Sequence, residues 1–320
     1  MNNLNIVILD SATLGSDIEF SKFEKLGRVS VYDVTAQEDV CTRVADADVI
    51  IVNKIKLNES NLSDANQLKL ICVTATGYDN IDVEYCKKRG IGVCNVRGYS
   101  SDSVAQTTVA MALSLVNNIS FFDRYVKNGS YTNSGTQNRV EPVFHEMTTM
   151  TWGIVGLGGI GKRTAEIAKA LGCRIIAFKR TPEEGYDCVD IDTLCEESDI
   201  ISVHLPLTDE TRCIINKDRI AKMKDTAIVI NVARGAVVDE MALADAVISG
   251  KLGGLGVDVY SYEPMPSESP YNRIAGCDNV ILTPHMAWGA YEARVRCMDE
   301  IFENINAFYG GKVRNRVDIG

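Results

Sequence analysis
Two successive series of short apolar runs limit what this chain can fold into. The first, within the leading hundred residues, reads NIVIL, RVSVYDV, DVIIV, LKLICV and IGVCNV, with polar stretches of helical character between them. The second begins at Trp152 with GIVGLG and continues through RIIAF, DIISVHL, AIVINVA, LGGLGVDV and NVILTPH. Parallel strands cannot be joined by a tight turn, and the crossover between them is usually a helix. Strand-like runs alternating with helical stretches therefore predict a parallel sheet wrapped by helices. Two such series predict two doubly wound α/β units, and 320 residues are enough for each to bury its own core.

The connections refine this picture. Ser101 to Phe122, SDSVAQTTVAMALSLVNNISFF, has helical spacing and small residues, and reads as one long helix opening the second unit. The polar KNGSYTNSGTQNRVEP that follows predicts a surface loop. From Glu292 to Tyr309 the residues Val295, Met298, Ile301, Ile305 and Phe308 recur at helical spacing. A final helix of this kind can cross back onto the first unit and make it discontinuous. The expected domains are residues 1–98 with 290–320, and residues 99–289.

Composition excludes several classes of function. A net charge of −10 and a pI near 5.0 argue against a nucleic-acid or anionic-membrane surface. Anionic ligands would have to be drawn in by a few local cations. The ten cysteines contain no C-x-x-C pair, and Cys72, Cys94 and Cys173 lie in apolar surroundings. Buried thiols in a reducing cytosol are expected, with no disulfides and no metal site. MNNLNIVILD lacks a basic leader, and no apolar run approaches the roughly 20 residues of a membrane span. A cytoplasmic protein is expected.

Gly156, Gly158 and Gly161 fit G-x-G-x-x-G, with Gly159 and Ile160 between them. The first glycine permits a tight turn, the second lets backbone N–H groups approach a pyrophosphate, and the third allows close helix–strand packing. The helix that follows adds about half a positive charge at its N-terminus. An apolar run before the motif, an amphipathic helix after it and then RIIAF supply the context of a dinucleotide site. A merely structural turn is the alternative.

Three strand ends carry residues suited to chemistry. NVARGAVVDE delivers Arg234, GVDVYSYEP delivers Asp258 and Glu263, and ILTPHMAWGA delivers His285. Ligands of open α/β sheets bind outside the carboxyl ends of strands, so these residues point to one site. Arg offers a bidentate fork to the carboxylate of a 2-oxo acid. Hydride arriving at the carbonyl carbon leaves an oxygen that needs a proton, which His can give. A neighbouring Glu favours the imidazolium. Of the other two histidines, His145 reads as solvated, and His204 as lining the crevice or capping its strand.

The chain resembles the D-2-hydroxyacid dehydrogenase family along essentially its whole length. The motifs that carry this are VTATGYDNID, NVRGYSSDSVAQ, GIVGLGGIGKRTAEIAKALGC, SDIISVHLPLTDETRCIIN, NVARGAVVDE, GVDVYSYEP and ILTPHMAWGA. The resemblance implies a Rossmann cofactor domain (99–289) inserted in a discontinuous flavodoxin-like substrate domain (1–98 and 290–320). It implies His285 as acid/base, Glu263 as its partner and Arg234 as anchor of the substrate carboxylate and carbonyl. The loop Ala75-Thr76-Gly77-Tyr78 would offer N–H groups to the carboxylate. Asp258 would hold the nicotinamide carboxamide, with Pro206, Thr211 and Val232 bordering the cofactor. A homodimer through the cofactor domain is implied, with Ser101–Phe122 and the following loop at its interface. Within the family, Trp288, NVRGYS and the ATG loop are most similar to glycerate dehydrogenases (hydroxypyruvate and glyoxylate reductases). Tyr99 is also similar to a substrate-side tyrosine of D-lactate dehydrogenases, with packing at the domain junction as its alternative. A dinucleotide-sensing corepressor-like protein is the alternative outside enzymes.

One position departs from the family. Many members carry a carboxylate where this chain has Lys179, followed by Arg180 and Thr181. A carboxylate there accepts bonds from the adenosine ribose hydroxyls, whereas cations suit a 2′-phosphate. The expected cofactor is NADP(H), with NAD(H) accepted.

Overall fold
A computed structural model describes residues 3–319. Met1, Asn2 and Gly320, assigned above to the first domain, lie outside the described residues. Two compact units emerge: Met1–Ser100 with Gly289–Gly320, and Ser101–Trp288. Tyr99, Ser100 and Gly289 thus stand with the first unit.

The first unit contains five parallel strands: β1 (Leu4–Ile8), β2 (Gly27–Val31), β3 (Val49–Val52), β4 (Leu70–Val73) and β5 (Gly92–Cys94). Their order is β2-β1-β3-β4-β5. Both β3 and β4 are buried at every position, as strands covered on two faces must be. The short helices α1 (Val40–Val44), α2 (Glu59–Leu62) and α3 (Val83–Arg89) belong to this unit. Gly90 ends α3 in the left-handed conformation, where a missing Cβ removes the steric penalty.

The second unit opens with α4 (Ser101–Val116) and α5 (Ile119–Lys127). The expected single helix is therefore two. Asn117 turns its side-chain amide onto the Leu113 carbonyl at 2.9 Å, and Asn118 takes φ 52°, which ends the α4 ladder. One face of α4, including Val104, Thr108, Met111 and Leu115, is buried, whereas no residue of α5 is. Next come β6 (Thr151–Val155), α6 (Gly159–Ala170), β7 (Arg174–Phe178), β8 (Asp187–Cys188), α7 (Ile191–Glu197) and β9 (Ile200–Val203). They are followed by α8 (Lys217–Lys222), β10 (Ile228–Asn231), α9 (Glu240–Ile248), β11 (Gly254–Val257) and β12 (Val280–Leu282). The sheet order is β12-β11-β10-β9-β6-β7-β8, and every pairing is parallel. The edge strand β8 has no counterpart among the sequence runs, being too short to show a period.

Registers in this sheet are aligned. Phe178, Val155, Val203, Asn231, Val257 and Leu282 form one continuous row across six strands. The next residues along the chain (Lys179, Gly156, His204, Val232, Asp258 and Thr283) therefore emerge together at the carboxyl edge. The order reverses between β6 and β9, the position where doubly wound sheets open a crevice. Trp152 lies fully buried beneath, its indole N–H donating to Ser202 Oγ at 2.9 Å.

The chain then returns to the first unit as α10 (Tyr291–Tyr309), which packs on β4. Its buried residues, Ala293, Cys297, Met298, Ile301, Asn304 and Ile305, form one face. The buried Asn304 is satisfied on both sides, donating to the Asn95 carbonyl at 3.0 Å and accepting from Asn315 at 2.9 Å. All ten cysteines are free thiols, and no helix among the described residues is long and apolar enough to cross a membrane.

The break after α4 is testable. Asn118→Ala should lower stability by about 1–2 kcal/mol because Ala pays the left-handed penalty. Asn118→Gly should lose less than half of that, with the thermal midpoint as readout.

Candidate active site
The glycine loop has the geometry its sequence predicts. Gly156 has φ 103°, and a Cβ there would lie 2.9 Å from Leu205 Cδ2. A Cβ on Gly161 would lie 2.1 Å from the Gly156 carbonyl oxygen, so the helix approaches the strand closely only because this residue is glycine. At Gly158, by contrast, a Cβ would meet nothing within 4 Å. Gly158 is the N-cap of α6 and supplies no side-chain cap. The backbone donors of Gly159, Ile160 and Gly161 begin a helix whose end carries partial positive charge above open space. Two glycines forced by packing and one facing a void fit a pyrophosphate seat.

Two residues of the carboxyl edge separate sharply in character. His204 bonds Ser202 Oγ at 2.9 Å through Nε2, and its Nδ1 is buried without a partner among the described residues. Burial pulls its pKa down to about 3, so the ring is neutral at physiological pH. His145 is exposed, in the loop following α5. Asp258, 1% exposed, is held by three donors: Thr283 Oγ1 at 2.6 Å and Met286 N–H at 2.9 Å on Oδ1, and Ala287 N–H at 2.9 Å on Oδ2. Its carbonyl accepts the His285 N–H at 2.8 Å.

This anchoring matters because His285 has φ 53°. A non-glycine residue in that region carries strain of about 1–3 kcal/mol and persists where its surroundings over-determine it. His285 Nδ1 lies 2.7 Å from Glu263 Oε2, while Glu263 Oε1 accepts the Tyr260 N–H at 3.1 Å. The Tyr260 hydroxyl in turn donates to the Thr283 carbonyl at 2.9 Å, on the histidine's own loop. Burial pushes the Tyr260 pKa up to about 12, so this donor keeps its proton. Tyr260 and Thr283 were not singled out from sequence; their roles depend on contacts between two loops.

Arg234 follows β10 in extended conformation, with Nη1 donating to the Ala233 carbonyl at 2.8 Å. Its own carbonyl accepts from Asn231 Nδ2 at 2.9 Å. Val232 is buried in the core. Thr211 closes a turn onto Pro206, its hydroxyl donating to that carbonyl at 2.7 Å. Trp288 is partly buried against the hydrophobic cluster containing Trp152. After β7, Lys179 is half-buried and ion-paired with Glu183, a residue that sequence reasoning missed, whereas Arg180 and Thr181 are exposed.

In the first unit, Ala75-Thr76-Gly77-Tyr78 leaves the end of β4. Thr76 Oγ1 donates to the Val96 carbonyl at 2.9 Å, and Asn95 Nδ2 donates to the Thr76 carbonyl at 2.7 Å. Tyr99 is 6% exposed, and its carbonyl accepts from Arg296 Nε at 3.0 Å. Among the described residues, no group of three or more His, Cys, Asp or Glu side chains could hold a metal ion.

Known proteins are similar to this chain along most of its length. The family model described as "D-isomer specific 2-hydroxyacid dehydrogenase, NAD binding domain" matches residues 109–287. A hydroxypyruvate reductase of Blautia hydrogenotrophica is 35% identical, the match covering 98% of this chain and 100% of that protein. Among solved structures, D-lactate dehydrogenase from Aquifex aeolicus, complexed with NAD and lactic acid, is 32% identical with a TM-score of 0.85. That match covers 99% of each chain. An acyclic imino acid reductase in complex with NADPH and D-Arg is 29% identical with a TM-score of 0.87, covering 98% of this chain and 100% of that one.

The two kinds of glycine should respond differently to a methyl group. Gly158→Ala should fold with an unchanged thermal midpoint but bind dinucleotide at least tenfold more weakly, as measured by titration. Gly161→Ala should lower the midpoint, because backbone must move to admit the Cβ.

Proposed function
The chain belongs to the D-isomer-specific 2-hydroxyacid dehydrogenase family, and on that premise we propose that it reduces hydroxypyruvate or glyoxylate to the D-2-hydroxy acid. Membership makes it an oxidoreductase of CH–OH donors that uses a nicotinamide dinucleotide. The nicotinamide, when bound, supplies the hydride. The observation that carries the reading is the 2.7 Å pairing of His285 with Glu263, at a carboxyl edge shared with the glycine loop.

His285 Nδ1 is committed to the carboxylate, so Nε2 is the nitrogen that gives the proton to the nascent alkoxide. Glu263 fixes the orientation of the ring, and Tyr260 keeps Glu263 turned toward it. Arg234 forks the substrate carboxylate and polarises the carbonyl. Ala75, Thr76, Gly77 and Tyr78 offer backbone N–H groups to a carboxylate. Gly156, Gly158, Gly159, Ile160 and Gly161 would seat the pyrophosphate, with Pro206, Thr211 and Val232 at the border. Asp258 Oδ2, with one loop donor, retains a lone pair for the carboxamide. Lys179, Arg180 and Thr181 at the end of β7 favour NADP(H), with NAD(H) accepted. The neutral His204 is unsuited to proton transfer at physiological pH.

Burial of Tyr99 supports packing over a substrate contact, while Trp288 borders the His285 loop and favours a small substrate. A D-lactate-type specificity is the second reading, favoured by the likeness to the Aquifex enzyme. The non-catalytic sensor finds no support in a site with an assembled His–Glu pair. The unburied α5 carries a cluster of Phe121, Phe122 and Tyr125 with Phe144 beside it, and Val140 and Val143 are 67% and 70% exposed. That apolar face supports a homodimer, and ten free thiols support a cytoplasmic setting.

Initial rates of nicotinamide oxidation should be highest with hydroxypyruvate or glyoxylate. Higher kcat/KM with phenylpyruvate or 2-oxoisocaproate would refute the small-substrate assignment. Replacing His285 calls for a residue that tolerates the left-handed backbone, and Asn does. His285→Asn should lower kcat by about 100-fold or more. Glu263→Gln should lower kcat while leaving cofactor affinity unchanged, because His285 Nδ1 loses the carboxylate that orients the ring. Arg234→Ala should raise KM for the oxo acid more than for the cofactor.

A further inference from the structure
Glu183, four residues past Lys179, divides its carboxylate between two cations: Oε1 with Lys162 Nζ and Oε2 with Lys179 Nζ. Lys162 belongs to the first turns of α6, the helix whose N-terminus carries the proposed pyrophosphate seat. The three side chains are 27–40% exposed, accessible to a ligand yet held together. The bond from Lys162, then that from Lys179, holds the Glu183 carboxyl below its ordinary range, so the group is ionised at neutral pH.

We propose that Glu183 sets the selectivity of this enzyme at the adenosine 2′ position, as an internal carboxylate standing where a 2′-phosphate would pair with Lys162 and Lys179. The inference rests on the cofactor seat proposed above. Two ammonium groups converging on one carboxylate form an anion site already filled from within. A phosphate can use those lysines only by displacing Glu183, and partly exposed ion pairs are weak enough to be displaced. A 2′-hydroxyl needs no displacement, because each carboxylate oxygen keeps a lone pair for an O–H donor. The lysines and Arg180 therefore favour the phosphate while Glu183 opposes it, and the preference for NADPH over NADH stays small.

The adenosine halves of the two cofactors isolate the effect. Dissociation constants of 2′,5′-ADP and 5′-AMP should be measured by calorimetry on the full chain, wild type and Glu183→Gln, alongside competition with NADH. Glu183→Gln should tighten 2′,5′-ADP about tenfold and leave 5′-AMP within about threefold, as expected when one charge-assisted contact becomes available. Lys162→Met should move the ratio of the two constants the opposite way. The ratio of kcat/KM for NADPH over NADH should rise with Glu183→Gln. A ratio of dissociation constants within twofold of wild type in both variants, with 5′-AMP still displacing NADH, overturns the role of Glu183 and leaves the seat standing. Failure of both nucleotides to displace NADH from the wild type overturns the seat, and this inference with it.

Discussion

The buried carboxylate of Asp258 is the constraint on which the active-site loop depends. Three donors from Thr283, Met286 and Ala287 converge on it, and the Asp258 carbonyl takes the His285 N–H. Without that anchor the loop after β12 has no reason to retain a strained histidine. The side chain thus reaches Glu263 because a different acid has fixed the backbone beneath it. The two carboxylates act at different levels, the buried one shaping the loop and the more exposed one meeting the imidazole.

Much of this arrangement was legible in the sequence because it follows from period and position. Six of the seven strands in the second unit announce themselves as apolar runs. A common register then brings Gly156, His204, Val232, Asp258 and Thr283 to one edge. The glycine loop was legible as a motif, and the fold itself requires two of its glycines, Gly156 and Gly161, while Gly158 faces open space. The division of Ser101–Phe122 was not, because its apolar spacing continues through Asn117 and Asn118 while the backbone turns. Nor was Glu183, whose partner on α6 lies 21 positions earlier in the chain.

The acidic balance of the chain leaves any anionic ligand dependent on local cations. Lys179 and Arg234 follow β7 and β10 of one sheet, and Lys162 stands on the helix between β6 and β7. A chain of net charge −10 repels phosphates and carboxylates at long range, while such cations recover them at short range. Selectivity among anions therefore rests on which cations are already paired within the protein. Arg163, for instance, is engaged with Asp102 and Glu166, and so is a weaker candidate for ligand binding.

The return of α10 to the first unit has a consequence for how the protein is made. The second unit is continuous in sequence, so all of its strands are synthesised before residue 289 is added. The first unit is not: β4 and β5 emerge early, yet the helix that packs on β4 comes last. So does the segment in which Val93 N–H meets the Asp318 carboxylate and Cys94 bridges Arg316. The domain begun first during synthesis is therefore completed last, and its half-built sheet must stay soluble while the inserted domain folds.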